Sequence, residues 1–193
     1  MTDFLNGRQQ RVHVDGAYSD WVPVTSGVPQ GSKLGPLLFI LYINDLSTQV
    51  KRSVVKLFAD DCKLYYSTSK QLLDFLPLED DLSAVGKWAE INQLKLALTK
   101  SSVLHIGKNN PERIYKIESD CLPKEKSVRD LGIRIANTLK FTDHYQIISK
   151  SAFVISHGMF QCFETKSRHF LLQMFKTYVR PKLDYGAEVW NPV

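Results

Sequence analysis

Lys56-Leu57-Phe58-Ala59-Asp60-Asp61-Cys62-Lys63-Leu64 sets two adjacent acids between two apolar, β-prone runs, residues 54–59 and 62–66. The pattern predicts a hairpin whose tight turn carries the acids, because Asp tolerates turn backbone while apolar strands bury on either side. Two carboxylates with no base beside them would be badly placed in a core. At an exposed turn they repel each other, and a divalent cation relieves that repulsion. Hard oxygen ligands on a short turn suit Mg²⁺, which takes one or two carboxylates together with substrate phosphates. A plain solvated turn is the other reading, and an Asp-Asp pair taken alone favours it. The surrounding sequence reverses that preference.

Upstream lies Thr25-Ser26-Gly27-Val28-Pro29-Gln30-Gly31-Ser32-Lys33-Leu34-Gly35-Pro36. Its glycines and prolines enforce a tight loop and let backbone come close to a ligand. Ser32 is a candidate helix cap and Pro36 fits an early helical turn. A loop feeding a helix N-terminus offers free N–H groups to a phosphate. An ordinary strand-to-helix connection would use the same glycines. The helix predicted next, residues 37–46, is apolar nearly all round and is expected to be buried. Before the loop, residues 1–6 read as a helix tail stopped by Gly7, and residues 11–14 and 21–24 as short strands around a polar turn. The basic strip at Arg8 and Arg11 could touch phosphate, with a solvated face the plainer reading.

Downstream, Leu78, Leu82, Val85 and Ala89 mark one face of an amphipathic helix. Glu79, Asp80 and Asp81 lie at its N-terminal end, where the helix dipole favours acids. Pro77 is expected to separate it from a shorter helical piece at residues 72–76. Residues 102–106 read as a strand closed by Gly107, and residues 128–135 as another strand with a glycine-marked kink. Helical spacing runs through Ile148, Ala152, Ile155, Met159 and Phe163 from a start near Thr142, and again through Leu171, Met174, Phe175 and Tyr178 to an end before Pro181.

The bulk properties narrow the class. At 193 residues the chain could hold one domain with a real core or belong to a larger one. An apolar content of 44% argues for a folded chain. The formal net charge of +5 is compatible with nucleic acid without demanding it. Three cysteines, widely spaced, form neither a disulfide framework nor a metal cluster, and the histidines show no ligand spacing. No signal peptide opens the chain and no apolar run is long enough to span a bilayer, so an intracellular setting, nucleus or cytoplasm, is expected with no membrane association.

Taken in order, these stretches resemble the reverse transcriptases of non-LTR (LINE-type) retrotransposons. The residues 26–32 and 34–39 resemble that family's Gly-rich motif and buried helix, which Tyr42-Ile43-Asn44-Asp45-Leu46 continues. Phe58-Ala59-Asp60-Asp61 resembles its catalytic box. Trp88, then residues 94–101, resembles the next motif. Asp130-Leu131-Gly132 resembles the primer-grip region, and Tyr178-Val179-Arg180-Pro181 with Tyr185 through Pro192 the segment after the thumb helices.

The resemblance implies an α+β fold, a polymerase palm of antiparallel sheet with packed helices over residues 1–138. A helical thumb-like region follows over 139–193, with the boundary near residues 135–142. It implies an RNA template, a DNA primer and deoxynucleoside triphosphates as partners, joined by two-metal nucleotidyl transfer with Mg²⁺; no oligomer is predicted. Asp60 and Asp61 would be metal ligands. Pro29, Gln30, Gly31 and Ser32 would lie beside the incoming nucleotide, and Lys100 near the leaving pyrophosphate. Asp130, Leu131 and Gly132 would position the primer end.

Departures from the family pattern set further expectations. The family carries another catalytic aspartate on a strand upstream of the segment matched by residues 1–6, and a fingers domain before the palm. Neither is in this sequence, so the chain is expected to be a fragment, weakly active or inactive alone. Ala97 stands where the family usually has Asn. Two other readings stay open: a catalytically dead nucleic-acid-binding module, using Lys150, Lys166, Arg168, Lys176 and Arg180, and a decayed retrotransposon remnant.

Overall fold

Helices and paired strands alternate along the computed structural model, which describes residues 2–67, 76–108 and 110–191. The mixed helix-and-strand class expected from the sequence is observed, but among the described residues the strands pair only in twos. Two compact units form, Met1–Leu96 and Ala97–Val193. Among the described residues no helix is long and apolar enough to cross a membrane.

In the first unit, helix α1 (Thr2–Leu5) leads into one long hairpin built of two ladders. Strand β1 (Gln9–Gln10) pairs with β4 (Val22–Pro23), and β2 (His13–Val14) with β3 (Ala17–Tyr18). Its tip is Asp15-Gly16, both at positive φ, the backbone that a two-residue turn between twisted strands requires. Strands were expected at residues 11–14 and 21–24 around a polar turn over residues 15–20. Instead the turn takes two residues, β3 lies inside the expected turn, and only residues 13–14 and 22–23 of the expected strands are paired, with the Ser19 hydroxyl accepting the Val12 N–H between the two ladders.

Helices α2 (Leu34–Ile43) and α3 (Leu46–Gln49) follow, then strands β5 (Val54–Phe58) and β6 (Asp61–Tyr65), then helix α4 (Leu76–Ile91). Ile43, Leu46, Val85, Trp88 and Ala89 form the core, with Phe39, Leu57 and Leu64 packed against it. The indole of Trp88 donates to the Asp45 carboxylate at 3.2 Å. Burial of α2 is only partial: Gly35 and Ile43 are enclosed, whereas Leu37, Ile40 and Leu41 are about half exposed or more. A helix apolar all round can bury only the side that meets another element, and here that side carries Phe39 and Ile43. Pro77 does not divide two helices; it sits in the first turn of α4, where its missing N–H leaves no bond unmade. Residues 72–75 of the expected short helix lie outside the described residues.

In the second unit, β7 (Val103–Leu104), β8 (Lys116–Ile117), β9 (Asp120–Cys121) and β10 (Lys124–Glu125) make short ladders, β7 with β10 in parallel. Residues 128–135 are not one kinked strand. Strands β11 (Ser127–Asp130) and β12 (Ile133–Ala136) form an antiparallel hairpin, because Leu131 and Gly132 both take positive φ and turn the chain in two residues. Helix α5 (Thr142–Cys162) runs over the expected span. After α6 (Arg168–Met174), the helix passes through a π-helical turn, Phe175–Val179, into α7 (Arg180–Asp184) and then α8 (Ala187–Trp190). The expected stop before Pro181 does not occur, because the wide turn leaves Pro181 at the start of α7, where no N–H is needed.

Candidate active site

The carboxylates of Asp60 and Asp61 stand at the end of the β5–β6 hairpin. The register pairs Phe58 with Asp61, Leu57 with Cys62, Lys56 with Lys63 and Val55 with Leu64. Alternation along each strand then sends Leu57 and Leu64 to the core and puts Phe58, Asp61, Lys56 and Lys63 on the opposite face. The turn is Ala59-Asp60, so one acid occupies the turn and the other opens β6, rather than both lying in the turn. Both are exposed, and among the described residues no hydrogen bond or ion pair engages either carboxylate. Ala59 takes φ +50°, a conformation that favours glycine and carries strain in a residue with a Cβ.

The hairpin is anchored from a distance. The Asp81 carboxylate, on α4 and only 3% exposed, accepts the backbone N–H groups of Lys51 at 2.9 Å, Arg52 at 3.1 Å and Ser53 at 2.6 Å. These three amides lead directly into β5. Desolvation pushes the Asp81 carboxyl up, and the amides pull it down further, to below its ordinary value. It is the Ser53 amide that serves here, since the Ser53 hydroxyl has no hydrogen-bond partner among the described residues. The acidic run at residues 79–81 reads in the sequence as a dipole-favoured first turn. Asp81 is also three residues after Leu78 and four before Val85, on the apolar face, and that spacing is the signal for its buried role.

The Gly-rich loop folds back on the start of α2. The Ser32 hydroxyl donates to the Pro29 carbonyl at 2.8 Å and accepts the Gly35 N–H at 3.0 Å, which caps the helix as expected and occupies one of its free donors. A Cβ on Gly35 would fall 2.9 Å from the Pro29 carbonyl oxygen. Gln30 and Gly31 are exposed, and Pro29 and Ser32 half-buried. Arg8 holds the loop from the other side, donating to the Leu5 carbonyl at 3.0 Å and to the carbonyls of Ser26 and Gly27. Arg11 lies over the rings of Tyr18, at 3.9 Å, and Trp21, at 4.6 Å. The basic strip is thus a brace and a stacked cluster.

The remaining expected residues belong to the second unit. Lys100 ends a 3₁₀ turn, Leu98–Lys100, and Asp130, Leu131 and Gly132 make the end of the β11–β12 hairpin. Sequence reasoning did not foresee how that hairpin is held. The Tyr185 hydroxyl donates to the Leu131 carbonyl at 2.8 Å, the Trp190 indole donates to the Tyr185 carbonyl at 2.9 Å, and the Tyr145 hydroxyl donates to the Trp190 carbonyl at 2.7 Å. His144, 2% exposed, accepts the Arg134 N–H on Nδ1 at 3.3 Å, while its Nε2 has no partner among the described residues. Burial holds its pKa below the usual histidine range.

Among the described residues no group of three or more His, Cys, Asp or Glu gathers as a metal site. Asp60 and Asp61 nevertheless fit a hard cation: their oxygens are exposed and, among the described residues, unpaired, and Mg²⁺ completes its shell with water and phosphate oxygens rather than with a protein cage.

Comparison with known proteins follows the same line. The profile of the reverse transcriptase (RNA-dependent DNA polymerase) family matches residues 1–135. The chain is 27% identical, over 99% of its length, to a probable RNA-directed DNA polymerase from transposon X-element of Drosophila melanogaster. It is 24% identical, over 97% of its length, to the RNA-directed DNA polymerase from mobile element jockey of the same fly. A Pol polyprotein from type-1 retrotransposable element R1 of Bradysia coprophila is 25% identical over 86% of the chain. The chain spans 22% of the length of each of the first two relatives and 17% of the third. No solved structure matches it.

Proposed function

The chain belongs to the reverse transcriptase (RNA-dependent DNA polymerase) family, its motif resemblance to non-LTR retrotransposon enzymes being borne out, and from that premise we propose that it carries part of the catalytic machinery of an RNA-directed DNA polymerase. The observation that carries this reading is the β5–β6 turn, with two exposed carboxylates that no hydrogen bond or ion pair engages among the described residues, on a hairpin anchored by Asp81. In the proposed arrangement residues 1–138 are palm and residues 139–193 thumb-like, with RNA template, DNA primer and deoxynucleoside triphosphates as substrates.

Divalent ions, Mg²⁺ above all, would supply neutralisation of the charge that builds on the transferred phosphoryl group. Asp60 and Asp61 would hold them. The Pro29–Ser32 loop would lie against the incoming nucleotide, its exposed Gly31 leaving the backbone open to close approach. Lys100 would donate a proton from Nζ to the leaving pyrophosphate. The Leu131-Gly132 turn would position the primer end.

Primer extension on an RNA template with Mg²⁺ tests the reading, comparing the chain with its Asp60→Asn/Asp61→Asn variant, both checked for folding by circular dichroism. Loss of metal-ligating charge is expected to lower extension by at least about 100-fold, the size of several kcal/mol of lost charge stabilisation. Equal, measurable extension by the two folded proteins would overturn it; no extension by either is the outcome for a fragment that is inactive alone.

A further inference from the structure

Strand β12 turns one backbone donor away from its own ladder. Asp130 and Ile133 close the two-residue turn, so the next pair, Arg129 and Arg134, is of the kind that exchanges no ladder bonds. The Arg134 N–H therefore points off the edge of the hairpin, where His144 Nδ1 accepts it at 3.3 Å. An imidazole that accepts on Nδ1 is neutral and carries its proton on Nε2. That Nε2 is buried without a partner among the described residues, and the Trp190 ring lies beside the imidazole with centroids 5.7 Å apart. Trp190 ends a strap, residues 185–190, whose Tyr185 hydroxyl holds the Leu131 carbonyl and whose Trp190 carbonyl is held in turn by Tyr145 on α5. Gly186 presses on the hairpin so closely that a Cβ there would fall 2.7 Å from Ile133 Cδ1. Hairpin, strap and α5 thus meet at one neutral imidazole. A second proton on that ring turns Nδ1 into a donor, and two donors then face each other where the Arg134 bond had been. It also places a cation in a buried site where no carboxylate pairs with it among the described residues.

We propose that His144 is a pH-sensitive latch: its neutral form holds the β11–β12 hairpin and the strap against α5, and its protonation in mild acid lets both open while α5 and the first unit stay folded. The charged and titratable groups on the elements packed around α5 are Arg134 in β12, Lys176 and Tyr178 in the π-helical turn, Arg180, Lys182 and Asp184 in α7, and Glu188 in α8. Asp143 and Tyr145 flank His144 on α5 itself. Arg180 and Asp184 pair with each other at 2.8 Å, and burial is what lowers the His144 pKa. The opened form therefore takes the proton more readily, and each unit by which burial lowers the pKa shifts the latch about tenfold toward open as pH falls. The latch stands on the fold and does not rest on the polymerase reading.

Amide hydrogen exchange of the full chain, followed by NMR at about pH 7.5 and about pH 5 and corrected for the intrinsic rate at each, reads the latch without any turnover. Protection of the Arg134 amide, and of Val189 in the strap, is expected to fall at least about tenfold between the two. Amides near Ala152 in α5 and near Val85 in α4 should keep theirs. His144→Gln retains an acceptor and cannot titrate, so its Arg134 protection should stay constant across the range. His144→Phe fills the site without an acceptor and should leave that amide weakly protected at both values. The wild-type comparison decides the matter even where a variant fails to fold. An Arg134 amide equally protected at both values would overturn the proposal, as would the same loss in His144→Gln. Loss of protection by all of these amides together would overturn it too, because that marks global acid unfolding and no latch.

Discussion

The Tyr185 hydroxyl reaches across 54 residues of sequence to the carbonyl of Leu131, at 2.8 Å, and closes the end of the β11–β12 hairpin. Its ring covers Gly132, so that a Cβ there would lie 3.0 Å from the ring edge with φ at +90°. A turn expected to position the primer end is therefore held by the segment around α8.

Two substitutions separate the parts of that contact. Tyr185→Phe removes one hydrogen bond and should lower stability by roughly 0.5–1.5 kcal/mol. Gly132→Ala adds both a crowded Cβ and a strained backbone, and should cost about 1–3 kcal/mol, more than the Phe variant. Urea unfolding of both proteins gives the comparison.

Asp81 is the anchor of the β5–β6 hairpin. Asp81→Ala leaves three amides at the entry to β5 without an acceptor, and should destabilise by about 2–4 kcal/mol. The folded-state pKa of Asp81 is depressed, so its contribution is present above the unfolded value, near 4, and is lost as pH falls through the folded value. Acid titration of stability should show that loss below about pH 4 in the wild type, and a shallower fall in Asp81→Asn.

His144 acts in a higher window. Its folded pKa is depressed as well, because burial disfavours the imidazolium. The unfolded chain then binds the extra proton more readily, so stability is complete above about pH 6.5 and declines as pH falls from there through the folded value. His144→Gln keeps an acceptor for the Arg134 N–H and removes the titration. Its stability should be flat between about pH 7 and 5, where the wild type slopes.

Gly35 sets the seat of the Gly-rich loop. Gly35→Ala places a methyl group 2.9 Å from the Pro29 carbonyl, a backbone atom that yields only if the loop moves. The variant should lose about 1–3 kcal/mol, with the disturbance confined to the loop and the start of α2. Amide hydrogen exchange in those residues would show it.

Local signals were readable in the sequence and distant ones were not. The β5–β6 hairpin, the Ser32 cap and α5 follow from turn chemistry, capping and a 3.6-residue period, each contained within a few residues. Asp81 binds amides 28 to 30 residues away, and Tyr185 a carbonyl 54 away, so neither partner could be named beforehand. The Leu131-Gly132 turn was misread as a kink because the turn needs positive φ at Leu131, a residue type that does not advertise it. The exposure of α2 escaped for a different reason: a helix apolar on every side carries no record of which side is covered.

Whether the Asp60-Asp61 turn holds divalent metal, as proposed, is tested without turnover by Mn²⁺ titration followed by electron paramagnetic resonance. The wild-type chain should bind Mn²⁺ at a site that Mg²⁺ displaces, at least about tenfold more tightly than Asp60→Asn/Asp61→Asn. Equal binding by the two proteins, with both folded, would contradict the account.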